Sequence, residues 1–125
     1  MVDDREGLAE KRCSPCRGGV APLTEAAALA LSAGVPGWRL EESATRLHRR
    51  FEFRDFREAM KFVNRAAEVA EQEGHHPDLH LEGYRDVTVE VWTHAIGGLS
   101  ENDFILAAKI DALPIALKRQ SARKP

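Results

Sequence analysis

The residues with the clearest capacity for chemistry are three of the five histidines, all in the second half of the chain. His75 and His76 are adjacent and precede Pro77, whereas His94 follows an alternating apolar run. Imidazole exchanges protons near neutral pH, so it can serve as a general acid or base. We therefore predict that these three side chains meet in one pocket and move protons on a small substrate.

The elements that must position these histidines follow from the spacing of apolar side chains. Residues 55–73 carry apolar side chains at helical spacing and predict a long helix, for which Gly74 is a suitable left-handed end. Residues 87–91 alternate apolar and polar side chains and predict a half-buried strand that leads to His94. Loops held by such a scaffold commonly bring catalytic groups together.

The rest of the chain predicts an α+β fold. Two further helices are expected over residues 24–33 and 100–113, and three further strands over residues 38–41, 46–53 and 78–84. The resulting order is helix, strand, strand, helix, strand, strand, helix, with the strands in adjacent hairpin-like pairs. This order predicts a four-stranded antiparallel sheet with three helices packed on one face.

Length and composition are typical of one soluble domain. The chain has 125 residues, of which 43% are hydrophobic and 30% charged, and its net charge is −2. The charge balance argues against a nucleic-acid binder. Since we find neither a bilayer-spanning run nor a signal-peptide core, we expect a cytoplasmic protein without a membrane partner. We expect a flexible arm over residues 1–20, a domain over 21–118 and a basic tail over 119–125.

The arm contains a Cys-x-x-Cys pair, Cys13 and Cys16. Such a pair could be half of a zinc site, a redox pair, a reactive surface couple or two incidental thiols. A structural zinc site takes four ligands, and the chain has no second cysteine pair. We favour two incidental thiols.

Two alternatives stand beside the proton-transfer interpretation of the histidine cluster. The first is that they are ordinary surface or core-edge residues, which is how we interpret His48 and His80. The second is a zinc site with three histidine ligands, for which an adjacent pair such as His75 and His76 is poorly suited. We therefore expect no metal.

Two carboxylates and an indole are candidates to support the cluster. Glu71 precedes His75 by four residues, so it could orient an imidazole or simply be a solvated glutamate at a helix end. Asp103 lies in the first turn of a predicted helix, where the helix dipole favours a carboxylate in any case. Trp38 is expected to pack in the core, but an indole at a sheet edge could also stack on a flat heterocycle.

Taken together, these motifs resemble the pterin-4a-carbinolamine dehydratase family over about residues 22–113. The similarity rests on an aromatic at Tyr84, the alternating valines 87, 89 and 91, and four motifs: Pro36-Gly37-Trp38, Phe51-x-Phe53-x-Asp55-Phe56, Glu71-x-x-x-His75-His76-Pro77 and Thr93-His94-x-x-x-Gly98-Leu99-Ser100-x-x-Asp103. The joint occurrence of the His-His-Pro and Thr-His motifs at this separation is specific, whereas either alone would be weak.

The resemblance implies an α+β fold, dimers or tetramers with sheets joined across subunits, and no metal or organic cofactor. It implies dehydration of 4a-hydroxytetrahydropterin to quinonoid dihydropterin, which recycles the pterin used by aromatic amino-acid hydroxylases. It also implies three catalytic residues and five substrate-binding or supporting positions: catalytic His75, His76 and His94, and supporting Glu71, Pro77, Trp38, Thr93 and Asp103.

Imidazoles suit this reaction, because loss of water needs a proton for the leaving hydroxyl and removal of a proton from a ring nitrogen. We expect His76 and His94 to act directly and His75 to position the pterin. Gly74 and Leu79 depart from residues common in the family, which leaves the preferred pterin open. The alternatives are a non-catalytic pterin-binding or regulatory dimerisation protein, and a function related to molybdopterin.

Overall fold

The computed structural model describes residues 4–14 and 20–117, which form four α-helices and four strands. In chain order they are α1 (Asp4–Glu10), α2 (Glu25–Ser32), β1 (Arg39–Glu41), β2 (Arg46–Glu52), α3 (Phe56–Glu73), β3 (Asp78–Glu82), β4 (Asp86–Val91) and α4 (Glu101–Asp111). A short 3-10 turn, His94–Ile96, lies between β4 and α4. None of the described helices is both long and apolar enough to cross a lipid bilayer.

The four strands form one antiparallel sheet in the order β1-β2-β4-β3. The central pair aligns Leu47 with Val91 and Phe51 with Val87, so the apolar side chains of both strands share the buried face. These side chains form a single core with residues of the helices. The predicted α+β fold with a four-stranded antiparallel sheet is therefore confirmed.

Helix α3 forms as its capping residues and apolar spacing predict. Asp55 caps its start by accepting a hydrogen bond from the Glu58 N–H at 2.9 Å. Its buried side chains, Ala59, Phe62, Ala66 and Ala70, recur every three or four residues and face the core. Gly74 ends the helix with a φ of 66°, a left-handed conformation that glycine adopts readily, so the chain leaves α3 directly into the histidine pair.

The N-terminal segment contains a helix that the sequence did not predict. Residues 4–14 were expected to belong to a loosely ordered arm, but α1 packs against α4 and buries Leu8 in the core, where it is 3% exposed. This packing explains why α4 is buried on all sides from Asn102 to Ala108. Cys16 and the basic tail lie outside the described residues, and the domain boundary near residue 21 stays a prediction.

Candidate active site

A cleft of about 270 Å³ lies where the end of α3 meets the turn that follows β4. Its lining includes His75 and His76 from the first segment and His94 from the second. The structure therefore brings the three candidate histidines together, as the sequence predicted. Thr93 also lines the cleft.

Local backbone geometry places each of these histidines. At the end of α3, the His75 N–H donates to the Ala70 carbonyl at 3.2 Å, so the first histidine is tied to the last helical turn. At the end of β4, the Thr93 N–H donates to the Gly98 carbonyl at 2.8 Å, and the 3-10 turn that begins at His94 lies between these two residues. The helix end and the strand end thus meet at one place.

His75 is held by a buried carboxylate. Its Nε2 lies 2.6 Å from Oδ1 of Asp103, which is fully buried, and its side chain is 12% exposed. The second oxygen of Asp103 accepts hydrogen bonds from the Thr93 hydroxyl at 2.8 Å and the Ser100 N–H at 2.9 Å. Because an ionised carboxylate only accepts, it favours the His75 tautomer with the proton on Nε2. Proton exchange with a bound molecule would then use Nδ1.

Asp103 therefore has two tasks. The Ser100 N–H bond belongs to the capping box that begins α4, as the sequence predicted. The bond to His75 was not predicted, because the two residues lie on different helix ends. Asp103 is fully buried and does not line the cleft, so its contact with the site runs through His75.

His76 is held much less firmly than His75. Its Nε2 lies 2.7 Å from Glu71 Oε2, but the two side chains are 62% and 76% exposed, so water weakens the interaction. Glu71 thus pairs with His76 and not with His75, the partner considered from its spacing. It does not line the cleft.

His94 stacks on an indole that the sequence did not identify as part of the site. The ring centroids of His94 and Trp92 lie 4.0 Å apart at an interplanar angle of 33°, and the Arg46 guanidinium lies 4.1 Å from the Trp92 ring centroid. The Trp92 indole N–H is buried and has no hydrogen-bond partner among the described residues. Its position directly before Thr93-His94 is the signal that could have identified it.

Trp38 and Pro77 do not line this cleft, and their contact with a substrate stays a prediction. Trp38 is 5% exposed, packs edge-on against Phe51 and donates its indole N–H to Asp111 Oδ1 at 2.9 Å. Its environment is the packed core, which was the other interpretation of this residue. Of the five supporting positions, only Thr93 lines the cleft.

Among residues 4–14 and 20–117, no group of three His, Cys, Asp or Glu side chains is arranged to hold a metal ion. The cleft presents imidazoles, one of them oriented by a carboxylate, and such groups can give and take protons on a bound molecule. Fold and cleft thus define an α+β protein with a cleft lined by three histidines.

Comparison with known proteins narrows this class. The family model described as pterin 4 alpha carbinolamine dehydratase matches residues 21–113. A relative from Halorhodospira halophila that carries this family name is 54% identical over 106 residues, covering 85% of this chain and 96% of the relative. Pterin-4-alpha-carbinolamine dehydratase 2, mitochondrial, from Arabidopsis thaliana is 48% identical over 111 residues, covering 86% of this chain and 59% of the plant protein.

Solved structures agree with this result. A protein from Brucella melitensis described as a transcriptional coactivator/pterin dehydratase superposes with a TM-score of 0.64 and 34% identity, over 73% of this chain and 96% of that one. A pterin dehydratase-like protein described as a RuBisCO assembly factor in the alpha-carboxysome gives a TM-score of 0.52 and 25% identity, over 61% and 87%. This chain belongs to the pterin-4-alpha-carbinolamine dehydratase family, which confirms the resemblance seen in the sequence.

Proposed function

We propose that this protein dehydrates 4a-hydroxytetrahydropterin to quinonoid dihydropterin by general acid–base catalysis with histidine. The observation that carries the proposal is that a member of this family presents three imidazoles, from two separate chain segments, at one cleft. Both histidine motifs that carry the family resemblance, His75-His76-Pro77 and Thr93-His94, are present here.

The reaction needs one proton delivered and one removed. The bond between the ring carbon and its hydroxyl breaks, and the hydroxyl leaves as water after gaining a proton. The neighbouring ring nitrogen loses its proton as a carbon–nitrogen double bond forms. No electrons enter or leave, so one acid and one base in a single cleft suffice.

The contacts of the three imidazole rings favour other catalytic roles for His75 and His76 than those expected from the sequence. His75 is fixed by Asp103, and His94 is stacked on Trp92, whereas His76 has only a solvent-exposed partner. A proton-transfer group must be held in place. In our proposal His75 and His94 therefore exchange protons, with Asp103 stabilising the charged form of His75, and His76 contacts the pterin.

The test is the rate at which the protein accelerates loss of chemically generated 4a-hydroxytetrahydropterin. His75→Ala and His94→Ala should each lower kcat by about 100-fold or more, whereas His76→Ala should mainly raise KM. His80→Ala is the matched control, because this exposed histidine lies in β3 and does not line the cleft.

A folded wild-type protein without rate acceleration would refute the proposed activity. Equal losses of kcat at all three cleft histidines would refute only the separate roles proposed for these residues. Pterin binding without dehydration would favour a binding or molybdopterin-related role instead, and the RuBisCO assembly factor is a structural neighbour whose described role is not catalytic.

Three further parts of the proposal rest on the family resemblance or, for the location, on the sequence expectation of a cytoplasmic protein. They are a place in recycling the pterin of aromatic amino-acid hydroxylases, a cytoplasmic location, and assembly into dimers or tetramers. Sedimentation at micromolar concentration tests the last of these, and a monomer would contradict it.

A further inference from the structure

The N-terminal segment reaches the cleft although it lies outside residues 21–113, the part that the family model matches. Ser14 lines the cleft together with the three histidines. The segment is tied to the body of the domain by α1, whose Leu8 is buried, and by Lys109, whose Nζ donates to the Ala9 carbonyl at 2.8 Å. Ser14 therefore belongs to an anchored segment.

The side-chain amide of Asn102 forms two hydrogen bonds with the backbone of Ser14, one through its oxygen and one through its nitrogen. The Ser14 N–H donates to Asn102 Oδ1 at 2.9 Å, and Asn102 Nδ2 donates to the Ser14 carbonyl at 2.6 Å. Asn102 is 8% exposed, so these bonds are shielded from water and hold Ser14 against the start of α4.

A second tie joins the segment to the helix that carries the histidine pair. The Cys13 N–H donates to Glu73 Oε1 at 2.8 Å, and Glu73 is the last residue of α3. The segment thus bridges the two helix ends that supply His75 and Asp103.

We propose that Ser14, held by Asn102, is a wall of the pterin cleft and determines how tightly the substrate binds. This rests on the proposed function. None of the described residues hydrogen-bonds to the Ser14 hydroxyl, so it is free to pair with the polar edge of a pterin. Neither side chain titrates near neutral pH, so the pair acts on binding and leaves proton transfer to the histidines.

The test compares Ser14→Ala and Asn102→Ala with Lys11→Ala in the full chain. Lys11 belongs to the same segment, but its ion pair with Glu101 is exposed and it does not line the cleft. The probe is 7,8-dihydrobiopterin, a stable pterin, titrated by fluorescence, with turnover measured in parallel.

Ser14→Ala removes the one hydrogen bond proposed to the probe, and Asn102→Ala removes the two bonds that hold Ser14 in place. Each variant should raise the Kd for the probe and the KM about three- to tenfold, with kcat changed less than about twofold. Lys11→Ala should behave as wild type. The Ser14→Ala variant keeps the two hydrogen bonds between Asn102 and the backbone of residue 14, so it remains informative if Asn102→Ala fails to fold.

Unchanged affinity in Ser14→Ala, or a fall in kcat without a change in affinity, would overturn the proposal. Wild-type protein that binds the probe but does not accelerate dehydration would refute the proposed function, and the comparison of affinities would still decide the role of Ser14. Wild-type protein that neither binds the probe nor accelerates dehydration would overturn both.

Discussion

Asp103 links the chemistry of the cleft to the stability of the fold. A fully buried carboxylate is costly unless it is hydrogen-bonded, and Asp103 accepts bonds from His75, Thr93 and the Ser100 N–H. The same contacts cap α4 and orient an imidazole. One buried carboxylate thus contributes to the stability of the fold and, in the proposed reaction, to the orientation of His75.

Replacement of Asp103 by asparagine should therefore lower both the turnover and the stability of the protein. An amide has only one acceptor oxygen, so at least one of the three bonds is lost and the His75 tautomer is no longer specified. We expect kcat to fall roughly 100-fold and the free energy of unfolding to fall by about 1–3 kcal/mol. Stopped-flow turnover and urea titration measure the two effects.

The matched control for that variant is Glu71→Gln. This carboxylate also accepts from a histidine at 2.7 Å, but in solvent, so its loss should change kcat by less than about threefold. Wild-type kcat in Asp103→Asn would contradict the role assigned to Asp103.

Cys13 is a poor nucleophile in its present surroundings. Burial raises the pKa of its thiol to about 12, and the negative charge of Glu73 adds to the increase. The thiolate is the reactive form, so little of it exists at neutral pH. This favours the incidental-thiol interpretation for Cys13, while Cys16 lies outside the described residues.

We expect iodoacetamide to modify Cys13 in folded protein at pH 8 at least about tenfold more slowly than in urea. The rate should continue to rise above pH 9, because the folded thiol titrates late. Mass spectrometry of the peptide that contains Cys13 measures both rates. Equal rates in folded and unfolded protein would contradict this prediction.

At the scale of elements, α1 packs against α4 and shields its outer side from solvent. Without α1, the outer side of α4 would expose apolar side chains, so the two helices are expected to stabilise each other. This packing also anchors the segment that contains Ser14.

Leu8→Ala tests this coupling. Removing a buried leucine side chain should lower the free energy of unfolding by about 2–5 kcal/mol. Leu29→Ala is the matched control, since this leucine is also helical but 55% exposed, and its replacement should cost less than about 0.5 kcal/mol. Urea titration measures both. Equal effects would mean that α1 does not pack against α4 in solution.

At the scale of the whole molecule, Glu73 couples stability to pH. Burial by itself would raise its pKa, but the Cys13 N–H and the positive charges of Lys109 and Arg12 together hold the pKa below its ordinary value of 4.5. Because the folded pKa is the lower one, ionised Glu73 stabilises the fold above pH 4.5. That contribution is lost as the pH falls through the folded value.

Glu73→Gln should therefore lower the free energy of unfolding by about 1 kcal/mol at pH 7. The difference from wild type should narrow as the pH falls below 4.5. Since burial raises the pKa of Asp111, which works in the opposite sense, the comparison must be made between the two proteins at each pH. A difference that does not depend on pH would contradict the prediction.

The features that could be predicted from the sequence are those that depend on contacts between residues close together in the chain. The limits of α3, the hairpin of β1 and β2 and the start of α4 follow from capping residues and spacing within a few positions. The membership of the three histidines in one site was also predictable, because their motifs stand at element ends. Residue types and short spacings contain this information.

The sequence by itself thus determined the elements from α2 to α4, the family and the identity of the histidines. Only the tertiary structure decided that Asp103 holds His75, that Trp92 stacks on His94, and that Ser14 lies at the cleft, bound by Asn102. The last contact joins residues 88 positions apart. No local pattern specifies such a pairing, because it depends on how all the elements pack and on which buried polar groups then need a partner.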